Sequence, residues 1–208
     1  MVTVRIFVEG GGDSKELKSR CREGFRKLLE NSGFQGRMPG FVACGGRNKA
    51  FDMFCTSTLG DRDQMRSFLL VDSEDPVEGE DYSPESSIAW IHLEKRDKWD
   101  RPEGVLNSQV LLMTTCMETW IMADRDAIHA FFGGNIREAS LLPIYELEKR
   151  PRDEVLESLI SGTVNCGRNK AYRKGKRSFE LLIHLNPKTL QQNLPHFQRF
   201  IQTLRQIK

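Results

Sequence analysis

Apolar and polar positions along the first 72 residues alternate between two periods. Val2 to Val8 alternates and is rich in β-branched side chains, which predicts a strand. After the break at Gly10-Gly11-Gly12, Asp13-Ser14-Lys15-Glu16 resembles a capping box. It opens a helix to about Asn31, in which Leu17, Cys21, Phe25 and Leu28 recur at helical spacing. Gly40 to Cys44 is a short apolar run, and a second helix is expected around Lys49 to Ser57. Ser67 to Val71 reads as a buried parallel strand ending on Asp72. The order β-α-β-α-β predicts an α/β fold, a mostly parallel Rossmann-like sheet flanked by helices, with right-handed crossovers.

The pattern then dissolves. Ser73 to Gly104 is acidic and Pro-containing, with one apolar break at Ile88 to Leu93, as expected of a long functional loop. Gln109 to Thr115 reads as a fourth strand, followed by a helix from Met117 to about Phe132. Beyond Gly133-Gly134 helices are expected at Arg152 to Ile160, at Ser178 to Leu185 and from Pro187 onward. The division is therefore a core at 1–134 and a helical C-terminal extension at 135–208, packed on the core. One short echo links them: Cys44-Gly-Gly-Arg-Asn-Lys-Ala-Phe51 and Cys166-Gly-Arg-Asn-Lys-Ala-Tyr172.

Composition narrows the class. With 208 residues, 38% hydrophobic and 29% charged, the chain can bury a core, which excludes a disordered or collagen-like protein. A net charge of +2 excludes a uniformly basic nucleic-acid binder but permits a local patch. Five cysteines without a CxxC pair and four scattered histidines lack zinc-ligand spacing. No run approaches a membrane span, and no signal peptide is recognised at Met1 to Val8. A cytoplasmic protein with structural thiols is expected, with no membrane partner.

The acids fall at strand ends, where open parallel sheets bind ligands. Glu9 follows the first strand, and Asp72-Ser-Glu74 follows the third. In an extended chain, residues two apart project to one side, so Asp72 and Glu74 can hold one hard cation. Such a cation supports phosphodiester chemistry, with Glu9 as a further ligand or a proton-transfer group. The glycine turn leads into a helix N-terminus, which favours anions, but Asp13 is expected to occupy the cap; a plain capped turn is the alternative.

Val8-Glu-Gly10 followed by Leu69-Leu-Val-Asp72-Ser-Glu74-Asp75 resembles the Toprim domain of topoisomerases, primases and overcoming-lysogenization-defect nucleases. Within that superfamily, the whole chain is similar to a bacterial group catalogued as domain of unknown function 4276. The features are Val8-Glu-Gly-Gly-Gly-Asp13, Gly45-Gly-Arg47, Leu70-Val-Asp-Ser-Glu-Asp75, Cys116-Met-Glu-Thr-Trp-Ile-Met-Ala-Asp124 and Tyr172-Arg-Lys-Gly175. The resemblance implies a Toprim-like fold and a metal-dependent phosphoester site. Asp72 and Glu74 would be Mg²⁺ or Mn²⁺ ligands, and Glu9 an acid/base or second-metal ligand. The second acid is Glu74 where the Toprim pattern has Asp, one carbon longer; Asp75 could substitute if the turn bends differently. The resemblance also places Glu118, before Trp120, in the catalytic cluster, against the alternative of a first-turn helix acid. Asp124 is a further candidate or a helix-surface residue.

A basic segment balances the acidic one. Arg168, Lys170, Arg173, Lys174, Lys176 and Arg177, with Tyr172 interleaved, suit backbone phosphates, as do Arg47 and Lys49 of the echo. The alternative is that these are solvated charges, or that they dock on the acidic loop. The expected function is cleavage of DNA or RNA by a metal-dependent nuclease. By the same resemblance, a partner ATPase would switch it, in phage defence. The rivals are a non-catalytic metal- or phosphate-binding subunit and a phosphotransferase or phosphohydrolase acting on nucleotides.

Overall fold

The computed structural model describes residues 3–59, 65–167 and 171–207. Its elements run β1 (Thr3–Glu9), α1 (Lys15–Asn31), β2 (Gly40–Gly45), α2 (Arg47–Thr58), β3 (Met65–Asp72), α3 (Ile88–Asp97) and β4 (Val110–Met113). There follow α4 (Met117–Ala123), α5 (Arg125–Phe132), α6 (Arg152–Thr163), α7 (Lys176–Leu182), α8 (Pro187–Asn193) and α9 (Pro195–Gln206). The four strands form one parallel sheet in the order β2-β1-β3-β4. This is the expected α/β, Rossmann-like architecture.

Strand alternation feeds two cores. Ile6, Val8, Phe68, Leu70, Leu111 and Met113 point to the face covered by α1, α4 and the C-terminal helices. Phe7, Leu69, Val71, Val110 and Leu112 point to the face covered by α2 and α3. Both faces are buried, so β3 and β4 read as continuous apolar runs rather than as alternating strands.

Several boundaries differ from expectation for local reasons. Ser14, not Asp13, caps α1: its side chain accepts the Leu17 amide at 3.1 Å. Helix α2 begins earlier, which places Arg47 at its first position. The acidic stretch is not loop throughout, because Ile88–Asp97 forms α3, with Ala89, Trp90 and Leu93 buried. The helix expected to run through Asp124 is broken there. Asp124 accepts the Ala127 amide as the cap of α5 and the Asn186 amide at 2.7 Å, so it is buried and structural rather than on a helix surface.

The C-terminal helices join the main core. Helix α7 lies on α1, and α9 lies on β4. Trp120 is fully buried among Phe25, Phe197 and Phe200. Two buried polar groups fix α9. Glu148 takes the His196 amide on both carboxylate oxygens at 3.2 Å, satisfying the helix N-terminus. Arg199, 2% exposed, donates to the carbonyls of Ser83, Pro84, Ser86, Asn107 and Val110. No helix among the described residues is long and apolar enough to cross a membrane.

Candidate metal centre at the strand ends

Strand order decides where the acids meet. From β1 the chain moves outward to β2, then crosses to β3 on the other side of β1, so the order reverses between β1 and β3. At such a switch point the carboxyl ends of neighbouring strands diverge and leave a crevice. Val8 pairs with Leu70, which sets Glu9 and Asp72 side by side just beyond the ladder. The Asp72 amide donates to Glu9 Oε2 at 3.2 Å.

Two glycines let the chain turn tightly here. Gly10 and Gly45 exchange a pair of backbone hydrogen bonds of 2.9 Å across the tops of β1 and β2. A Cβ on Gly45 would stand 2.8 Å from the Gly12 carbonyl oxygen, and the residue has φ +86°. Only glycine fits that approach.

Glu74 joins by a different route from the extended spacing expected of it. Strand β3 ends at Asp72, and Glu74 sits at φ 67°, a left-handed conformation uncommon for a residue with a Cβ. Its amide donates to the Thr115 carbonyl at 2.8 Å, which holds the turn. The result is that one ligand-capable oxygen from each of Glu9, Asp72 and Glu74 lies within 4.8 Å of the others. Asp75 is not part of this group. It is exposed and ion-paired with Arg96 at 2.9 Å.

Asp72 sits among like charges that its surroundings offset only in part. Burial pushes the Asp72 carboxyl well above its usual range, and Glu9, Glu118 and Glu74 push it further, against the pull of Lys174. Its Oδ1 accepts the Met117 amide at 2.9 Å. Glu9 is also raised by burial, with Arg47 pulling it down and Glu74 pushing it up. A divalent cation would relieve this arrangement, and hard carboxylate oxygens, completed by water, are the kind of donor Mg²⁺ or Mn²⁺ takes. The residues present therefore fit the ion.

Cations from distant segments brace the cluster. Arg47 grips Asp97 with two hydrogen bonds of 2.9 and 2.6 Å, and its guanidinium lies 4.8 Å from the Trp99 ring centre. Its remaining nitrogen donates to Glu9 Oε2 and to the Asp72 carbonyl. Arg47, expected as a phosphate contact, is thus engaged with Asp97, Glu9 and the Asp72 carbonyl. Arg152 and Arg96 both reach Glu74 Oε2. Sequence reading missed Arg96, Asp97 and Arg152 because no local spacing connects α3 or α6 to the end of β3.

Glu118 lies beside the cluster but outside the trio. It is 1% exposed and accepts hydrogen bonds from Tyr172 Oη at 2.6 Å and Ser178 Oγ at 3.4 Å; Lys174 Nζ is 3.8 Å away. Burial and the neighbouring Glu118 push the Tyr172 phenol upward, so it remains a donor. Tyr172, interleaved among the basic residues, is buried. Lys174, Glu118, Glu9 and Asp72 line one cavity of about 280 Å³, floored by Gly10 to Gly12.

Among the described residues, Lys49 and Lys176 do not line it. Lys176 lies 3.9 Å from Glu180, and Lys49 is exposed on the first turn of α2. Asp13 is exposed in the turn before α1. Lys170, with Arg168, lies outside the described residues. Burial pushes the Cys44 thiol up to about 11, which suits packing and not a nucleophile.

Neither the curated proteins nor the solved structures gave a match to this chain. Residues 8–205 match the family described as Domain of unknown function (DUF4276), and the chain belongs to that family.

Proposed function

We propose that this protein is a Mg²⁺- or Mn²⁺-dependent phosphodiesterase that cleaves nucleic acid. The observation that carries the reading is the convergence of Glu9, Asp72 and Glu74 within 4.8 Å at the switch point of a parallel sheet. A bound divalent ion would be held by these three and would supply charge neutralisation at phosphoryl oxygens and acidification of water. The chain's own groups do the rest. Arg47 and the Asp72 amide hold one Glu9 oxygen, which leaves the other to face the ion. Lys174 faces the same cavity and places positive charge where the phosphoryl group gains negative charge.

The Toprim resemblance supports the same chemistry and extends the proposal to a cytoplasmic effector, switched by a partner ATPase in phage defence. A second reading, hydrolysis of a nucleotide or small phosphoester, is favoured by the limited size of the 280 Å³ cavity. The test compares wild type, Glu9→Gln and Asp72→Asn on DNA, RNA and mononucleotides with Mg²⁺ or Mn²⁺. Polymer cleavage lost in both variants is the expected result. Equal activity in all three would overturn the site, and activity on mononucleotides alone would select the second reading. A crystal soaked in Mn²⁺ should show metal density between Asp72 and Glu74.

A further inference from the structure

Helix α3 has two working faces, and the metal centre uses only its end. Ala89, Trp90 and Leu93 face the core. Ile88, Ile91, His92, Lys95 and Arg96 recur at i, i+3, i+4, i+7 and i+8, forming a second continuous stripe on another side of the helix. Along this stripe runs a groove of about 570 Å³, walled opposite by the segment 75–79. Its size falls within the range of small-molecule sites.

We propose that this groove holds the nucleotide flanking the scissile phosphate, with the base on its apolar floor and the phosphate at its cationic end. This rests on the nucleic-acid reading of the metal centre. The floor is Ile88 and Ile91 with Pro76 opposite, and Ile91 is 57% exposed, a large apolar side chain left facing solvent. The wall is held close. A Cβ on Gly79, which has φ +101°, would come within 2.8 Å of Ile88, so the segment approaches α3 as only glycine permits. The His92 ring is fixed by its Nε2–H donating to the Ser73 carbonyl at 2.8 Å, between the two metal-site acids in sequence.

Continuity and charge select the occupant. Arg96 lies in the groove, yet its Nη2 is 3.9 Å from Glu74 Oε2, so the cationic end of the groove meets the metal centre. Lys95 and Arg96 pair with Glu78 at 3.0 Å and Asp75 at 2.9 Å. Both acids are well exposed. The Lys95–Glu78 pair is exposed on both sides and contributes little, so a phosphodiester can take Lys95 while Glu78 turns to water. Arg96 also holds Asp97 at 2.6 Å and stays in place as the bridge to the metal centre. An apolar floor beside cations matches the combination of base stacking and backbone neutralisation that binds single strands.

The test is fluorescence anisotropy with labelled single-stranded 12-mers of DNA and RNA, in Ca²⁺ to limit turnover. Ile91→Glu and Lys95→Glu should each weaken binding about tenfold or more. Lys95→Glu should also reduce the slope of log K against log salt by about one. Arg205→Glu, exposed on α9, should leave binding unchanged. Ile91→Trp should bind at least as tightly as wild type, with its fluorescence quenched by the 12-mer. Wild-type affinity in Ile91→Glu and Lys95→Glu, or an unquenched Ile91→Trp, would overturn the groove while leaving the metal centre standing. Failure of wild type to bind either polymer would overturn the groove and the nucleic-acid reading together. Loss of Mn²⁺ binding in Ile91→Glu, measured by electron paramagnetic resonance, would make Ile91 structural and also overturn the proposal.

Discussion

Asp72 and Glu148 are both buried acids whose pKa is pushed up by burial, yet their surroundings differ in kind. Glu148 reaches about 8, opposed by amides at the start of α9, and its two oxygens have a helix terminus to satisfy. Asp72 has one amide, from Met117, and three like charges around it. The first acid completes a helix. The second is left in a field that a cation would balance. Burial of a carboxyl is therefore not a functional signal in itself; surplus like charge around it is.

The strongest way to break this comparison is to neutralise each acid. Asp72→Asn should lower metal-dependent cleavage by at least about 100-fold, while Glu148→Gln should leave it within about twofold. The metal-free Asp72→Asn protein should melt no lower than wild type, because like-charge repulsion is removed. A drop in melting temperature would show that Asp72 is structural after all.

Tyr172→Phe asks whether Glu118 belongs with Glu148 or with Asp72. It removes the 2.6 Å donor from a buried carboxylate, and stability should fall by about 2 kcal/mol, read by chemical denaturation. Unchanged stability would mean that Ser178 and Lys174 satisfy Glu118 alone. Asp97→Asn loosens Arg47 and hence Glu9, and Mn²⁺ affinity should fall about tenfold by calorimetry. An unaltered affinity would remove the positioning role.

The smallest effect is a slope against pH. The folded value of Glu148, about 8, lies above its ordinary 4.5. The folded state therefore keeps a proton that the unfolded chain releases. The stability this gives is complete below about pH 4.5 and is lost as pH rises through about 8, by at most about 1.4 kcal/mol per pH unit. Glu148→Gln should flatten that slope in saturating Mn²⁺ as well as without it. Raised pKa values at Asp72 and Glu9 give the same sign, but their contribution should disappear once Mn²⁺ is bound. A Glu148 slope that also disappears with Mn²⁺ would erase the distinction.

The first three strands were legible because each is an apolar run closed by Gly or Asp, and their order placed Glu9 and Asp72 at the carboxyl end of the sheet. Helix α3 was not. Its apolar residues cluster at 88–93, which resembles a short buried run, and its charged half resembles loop. The bracing of the site was not legible either. Arg152 meets Glu74 across 78 positions, a contact that tertiary packing creates and no local period encodes. Glu74 itself was named for an extended geometry, whereas a left-handed turn delivers it. Asp124 looked like a surface acid because a helix continuing through it would expose it. The break between α4 and α5 turns it into a cap.

The five carbonyls gathered by Arg199 reach both the segment after the metal site and the entry to β4. That guanidinium is a keystone: the last helix locks the far end of the same loop whose near end carries Asp72 and Glu74. A chain cut after residue 134 would keep every acid of the metal centre and lose the part that fixes their loop. The C-terminal helices are in this sense part of what holds the acidic cluster, although they supply none of its three carboxylates.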